Sequence, residues 1–147
     1  MADYIEGTTD FIFGSSTVWF ERCHIHSKKN SHVTAASTPQ QHQFGYVFND
    51  CTLTGDTTLH SVSLGRPWRQ YANVAYIHCY MGQHFKAEGW SNWNNTESYK
   101  TARYSEYENY GPGADKTKRV SWSRQLTDDE IKKYTLKNIL RDWDPEK

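Results

Sequence analysis

The sequence predicts an all-β fold, a solenoid of stacked strand-and-corner coils, and three observations predict it. Cys23, Cys51 and Cys79 recur at equal intervals, with a period of 28, and a fixed period of this kind marks a repeat architecture. Apolar neighbours keep the same register: Val18, Tyr46 and Val74; Phe20, Phe48 and Tyr76; Ile25, Leu53 and Met81. Within each repeat the apolar positions alternate, as in Val18 and Phe20 and then Cys23 and Ile25, which suits strands with one buried face and a bend between the pairs.

Polar, turn-rich stretches at residues 27–31, 38–43 and 54–58 supply corners between the strands. In such a stack each coil buries its inner face against the coils above and below, so the cysteines are expected to stack as small interior residues. The period fails after Trp93. The expected organisation is a single domain with coils over residues 1–94, a loop-rich return segment over 95–125, and a C-terminal helix over 126–141. Thr127-Asp128-Asp129-Glu130 carries the capping-box pattern that starts this helix. Ile131, Tyr134, Leu136, Ile139 and Leu140 do not form one clean stripe along it, and the simplest role for the tail is to cover the coils.

Composition narrows the function classes. The 147 residues carry 17 basic and 17 acidic side chains and no net charge, which removes the long-range attraction that nucleic acid or an anionic membrane would need. No stretch approaches the ~20 consecutive apolar residues that span a bilayer. Hydrophobic content is 36 % and mean hydropathy -0.90, yet aromatics reach 15 %, unlike a disordered chain. Three cysteines without a C-x-x-C pair indicate neither a disulfide framework nor a zinc ribbon. His24 and His26 share a strand face and His78 and His84 follow along the repeat, but the short-loop spacing of a zinc site is missing, so no metal is expected. No G-x-S-x-G elbow is present, which weakens a serine-esterase reading.

The run Gly7-Thr8-Thr9-Asp10-Phe11-Ile12-Phe13-Gly14 is similar to the pectin methylesterase signature, in which a G-x-x-D-F-I-F-G run holds a nucleophilic aspartate. Further blocks follow in that family's order: Leu64-Gly65-Arg66-Pro67-Trp68, Glu88-Gly89-Trp90 with Trp93, Tyr104 to Tyr107 with Gly111-Pro112-Gly113-Ala114, and Arg119-Val120-Ser121-Trp122. The resemblance implies a right-handed, single-stranded parallel β-helix with a C-terminal tail, and a carboxylic ester hydrolase acting on the C6 methyl esters of galacturonan without metal or organic cofactor. Its implied partner is methyl-esterified homogalacturonan. A monomer and an extracellular, cell-wall or periplasmic location follow from the same resemblance and substrate.

Carried onto this sequence, the resemblance makes Asp10 the nucleophile. The apolar neighbours Phe11, Ile12 and Phe13 raise a carboxylate's pKa by themselves, so a nearby cation is needed, and Arg66 is the natural supplier of a bidentate contact. Asp10 and Arg66 are separated by two periods of 28, which would bring them to one side of the stack. Trp68 resembles the family's sugar-stacking tryptophan, since an indole covers the C–H face of a pyranose, and Phe13 is expected to shape the same subsite. Trp90 and Trp93 would either extend the groove or pack in the core. In the family a second aspartate, the general acid and base, and the oxyanion glutamines stand upstream of the nucleophile, and no Gln-Asp pair occurs here. The chain is therefore expected to correspond to the C-terminal portion of such an enzyme and to be inactive by itself. The alternative is a non-catalytic β-helix module that binds polygalacturonate.

Overall fold

The computed structural model describes residues 3–92 and 96–143. Its first coil runs through β1 (Tyr4–Gly7), β2 (Ile12–Gly14) and β3 (Val18–Glu21), its second through β4 (His24–Ser27), β5 (His32–Ala36) and β6 (Tyr46–Asn49), and its third through β7 (Thr52–Gly55), β8 (Ser63–Pro67) and β9 (Asn73–Ile77). A looser fourth turn holds β10 (Tyr80–Met81) and β11 (Arg103–Tyr107), with β12 (Arg124–Gln125) beyond it. Each of the first three coils visits three sheets in the same order. Sheet 1 is β1-β4-β7-β10, sheet 2 is β2-β5-β8, and sheet 3 is β3-β6-β9-β11-β12, with parallel pairing throughout. The molecule is thus an all-β parallel solenoid.

The repeated columns are ladder rungs: Val18 pairs with Tyr46 and Tyr46 with Val74, while Phe20, Phe48 and Tyr76 form the next column. The aromatic rings of that second column stack face to face at 4.5 and 4.6 Å, filling the interior with flat groups at the spacing the strands impose. The constant period belongs to the corner from sheet 3 to sheet 1. There Arg22, Asp50 and His78 each adopt a positive φ of 51°, 54° and 52°, and the chain turns sharply at a left-handed residue. The cysteine that follows each one is buried. Cys51 and Cys79 donate their thiols to the carbonyls of Phe20 and Phe48, on the preceding coil, at 3.4 Å.

The coils extend past residue 94, beyond the boundary expected from the period. β11 adds a fourth full strand to sheet 3, with Arg103 paired to Asn73 and Tyr107 to Ile77. Its corner repeats the left-handed residue at Glu108, but Asn109 stands where a cysteine stood. The Asn109 side chain donates to the carbonyl of Tyr76 and accepts the N–H of Cys79. A different residue type at a longer interval hid this turn from the repeat. The single helix expected over 126–141 is instead two, α1 (Asp128–Ile131) and α2 (Leu136–Trp143). The capping box of Thr127 and Glu130 is present. Ile139 is fully buried in a second apolar cluster with Phe44, Val47, Ala75 and Ile77, so α2 covers the outer face of sheet 3.

The last turn is held by a buried ion pair. Arg119 makes a two-pronged contact with Glu106 of β11, at 2.9 and 3.1 Å, and both side chains are at most 4 % exposed. The guanidinium also donates to the carbonyls of Ala87 and Gly113, so its desolvated donors are matched by acceptors on three segments.

One buried histidine and one partly buried one make stability depend on pH. His84 is 2 % exposed, and its ring is wedged so closely over Gly55 and Gly82 that an added Cβ would come within 2.6 and 2.8 Å of it. Burial holds its pKa down at about 4, and His32 is held at about 4 by burial and then by the Arg66 charge. Between pH 6.5 and 4 the unfolded chain takes up these protons and the native state does not. Stability is therefore complete above pH 6.5 and falls as the pH drops toward 4, by about 1.4 kcal/mol per unit for each histidine. Urea unfolding across this range should show the slope, and His84→Gln should remove about half of it.

Candidate active site

The site lies on sheet 2, where the corner between sheets 1 and 2 delivers Asp10. Asp10 has φ 48°, a left-handed conformation that aspartate tolerates better than most residues, and its N–H donates to the carbonyl of His32 at 2.8 Å. Held this way at the head of β2, it meets Arg66 of β8, two coils away. Arg66 Nε lies 3.1 Å from Asp10 Oδ1 and Nη2 lies 2.7 Å from Oδ2. Both side chains are about one-fifth exposed, enough for a substrate to reach and little enough that the contact is poorly screened.

The register explains how the arginine crosses a whole coil, and it differs from two rigid repeats of one period. Phe13 pairs with Ala35, and Ala35 with Arg66 after a markedly longer stretch of chain. Arg66 thus ranks with Phe13, and Asp10 lies just ahead of it at the start of β2. The residue between them in the row is alanine, whose side chain ends at Cβ and leaves the guanidinium a path over the second coil. Beside this row, Gly65 sits opposite Thr34, where an added Cβ would fall 2.1 Å from the threonine hydroxyl. Thr34 needs that space, because its hydroxyl donates to the carbonyl of Leu64 at 3.0 Å within the interior.

Two aromatic rings flank the pair. Phe13 is 65 % exposed and meets Trp68 edge to face, with ring centres 6.1 Å apart. Trp68 follows β8 directly and is partly exposed; the Arg69 guanidinium lies 5.4 Å from its ring centre. Asp10, Arg66, Phe13 and Trp68 are therefore brought to one surface, a carboxylate gripped by a guanidinium beside an apolar ledge. Trp90 resolves to the core: it is 1 % exposed and stacked on Tyr104 at 4.2 Å. Trp93 lies outside the described residues.

Other neighbours were not legible from the sequence. His32 pairs with Ser63 across β5 and β8, and its Nδ1 lies 2.5 Å from the serine hydroxyl. Lys86 follows on the next turn and donates to Ser91. No spacing connects these residues, because the loops that separate them differ in length from coil to coil. Among the described residues no group of three or more His, Cys, Asp or Glu could hold a metal. His24 and His26 instead share Thr54, at 2.8 and 2.6 Å, and His26 also meets Asp56 at 2.8 Å.

A carboxylate held at a fixed angle by a guanidinium, with an aromatic ledge for a ring-shaped substrate, is equipped for attack on an ester. The chain is 42 % identical over 144 residues to Pectinesterase 31 of Arabidopsis thaliana, across 97 % of this chain and 44 % of that protein. It superposes on the pectin methylesterase from carrot with a TM-score of 0.86 at 27 % identity, covering 95 % of this chain and 49 % of that one. A pectin methylesterase solved in complex with a hexasaccharide gives 0.76 at 26 % identity, covering 98 % and 51 %. The chain thus spans about half the length of each of these three proteins. The family model for pectinesterase matches residues 2–143, and the chain belongs to the pectinesterase family.

Proposed function

We propose that the protein to which this chain belongs hydrolyses the C6 methyl esters of galacturonan, releasing methanol and leaving a carboxylate on the polymer. The observation that carries this reading is the bidentate Asp10–Arg66 contact at 3.1 and 2.7 Å beside the exposed Phe13 and Trp68. Family membership supports the substrate class, and a structural neighbour solved in complex with a hexasaccharide supports a saccharide substrate.

In this mechanism an Asp10 oxygen attacks the ester carbonyl carbon, forming a tetrahedral intermediate. The C–O bond to the methoxy group then breaks, and methanol leaves with a proton from a general acid. Water adds to the resulting anhydride, its proton passes to the same group acting as base, and the uronate is released with Asp10 restored. Arg66 keeps Asp10 aimed throughout with its two donors. The resemblance assigns the acid and the oxyanion glutamines to a coil preceding that of the nucleophile, so turnover needs the complete enzyme. Plant cell-wall pectin, outside the membrane, is the corresponding place of action.

The test is methanol release from highly methyl-esterified pectin by the full-length protein. Activity is expected, and Arg66→Lys should lower it ~10²-fold because an ammonium cannot reproduce the two-pronged contact. Saccharide binding with no methanol release would instead favour a module that only binds polygalacturonate.

A further inference from the structure

Sheet 1 is a different face of the solenoid from the sheet that presents Asp10 and Arg66, and its last coil ends in a cleft that the ester chemistry does not use. The cleft encloses about 260 Å³, just below the range typical of small-molecule sites (~300–1,000 Å³). It opens where β7 and β10 run out, between the corner that follows Gly55 and the loop that carries Pro112.

One wall is the ring of Tyr80, and the fold fixes where that ring stands. Gly111, at φ 98°, passes so close that an added Cβ would come within 2.9 Å of the ring. The exposed Tyr110 meets the same ring edge to face, with ring centres 5.8 Å apart. His84 also lines the cleft. It is buried, neutral at ordinary pH because its pKa is held at about 4, and its Nε2 has no hydrogen-bond partner among the described residues. The rest of the rim is polar and exposed: Asp56, Thr57 and Gln83. Asp56 Oδ1 lies 2.8 Å from His26 Nε2, yet the side chain is still 48 % exposed.

A preset aromatic ring beside groups that donate and accept hydrogen bonds suits a sugar. The C–H face of a pyranose lies on the phenol ring, and its hydroxyls meet the carboxylate, the amide and the threonine hydroxyl. Charge narrows the choice. Asp56 lines the cleft and no lysine or arginine does, so the free carboxylate of a galacturonate is repelled. A galacturonate whose carboxyl is methyl-esterified carries no charge and is not.

We propose that this cleft is a second, non-catalytic binding site for an uncharged pyranoside, the methyl-esterified galacturonate unit, stacked on Tyr80. It holds ester-rich stretches of the polymer on the protein while Asp10 works on another stretch. The identity of the sugar rests on the pectin-ester reading above, and the test separates the two.

Full-length Asp10→Asn protein, which turns over too slowly to consume the probe, is titrated with methyl-esterified trigalacturonide or with free trigalacturonate. The side-chain amide of Gln83 is followed by NMR and assigned by its loss in Gln83→Ala. The ester should shift this signal, and the free acid should leave it in place. Adding Tyr80→Ala should weaken the ester titration five- to tenfold, roughly the scale of one lost ring contact. Adding Asp56→Lys, on the exposed rim, should let the free acid shift the signal. The proposal is overturned by no shift with the ester, by an equal shift with the free acid, by an ester titration that Tyr80→Ala leaves unchanged, or by continued exclusion of the free acid in Asp56→Lys. If the unaltered full-length protein releases no methanol, the hydrolase reading fails, and the Gln83 titration still decides whether the cleft binds the ester.

Discussion

Replacing Asp10 by asparagine in the full-length protein should lower kcat for methanol release about 10⁴-fold, with KM changed only a few-fold. The substitution is nearly isosteric. Asparagine tolerates the left-handed backbone that Asp10 adopts at φ 48°, and its carbonyl can still accept one of the two donors of Arg66. The fold and the aromatic ledge of Phe13 and Trp68 stay in place, so substrate still binds. The amide has no charge with which to form an acyl bond, so the loss falls on the chemical step. A parallel fall in kcat and unfolding midpoint would indicate structural damage. Undiminished turnover would sink the nucleophile assignment.

Arg119→Met should reduce stability by about 3–5 kcal/mol, the cost of leaving a buried charge without its partner. Glu106 is 2 % exposed, and Gln125, at 3.4 Å, is the other side chain bonded to its carboxylate. The midpoint of urea unfolding reads the effect directly. Removing both charges with Glu106→Leu and Arg119→Met should recover much of the loss, because a buried ion pair contributes little over apolar packing once neither charge remains. A single substitution as mild as a surface change, about 0.5 kcal/mol or less, would mean that water reaches the pair. The expected damage is structural: Arg119 ties the last turn to Ala87 and Gly113, away from the Asp10–Arg66 contact.

What was readable in advance tracks where the chain keeps its length. Corners from sheet 3 to sheet 1 recur at one constant interval through Arg22, Asp50 and His78, so the cysteine and aromatic columns could be predicted and are found as ladder rungs. Around sheet 2 the step from Phe13 to Ala35 is much shorter than the step from Ala35 to Arg66, and no period reveals either. The Asp10–Arg66 contact was expected from two equal periods. It forms instead because two unequal steps bring the arginine level with Phe13, with alanine in between.

The fourth turn was missed for the same reason, since Asn109 replaces cysteine and the step lengthens. Trp90 is another case: the motif around it could not say whether an indole faces a groove or a core, and stacking on Tyr104 buries it. Lys86 and Ser91 carry no motif at all. They are brought near β8 by one backbone bond, from the N–H of Ser91 to the carbonyl of Gly65.

By itself the sequence determined the solenoid, its buried columns, the identity of the candidate nucleophile and its cation, and the aromatic pair beside them. The first two follow from alternation and a constant corner, and the site residues from two local runs, Gly7 to Gly14 and Leu64 to Trp68, that resemble the family's motifs; all of these act at short range along the chain. Only the tertiary structure decided the register of sheet 2, the length of the stack and the buried Glu106–Arg119 clasp. Those depend on the summed lengths of successive corners, and a side chain finds its neighbour on the next coil only after every corner between them has been closed.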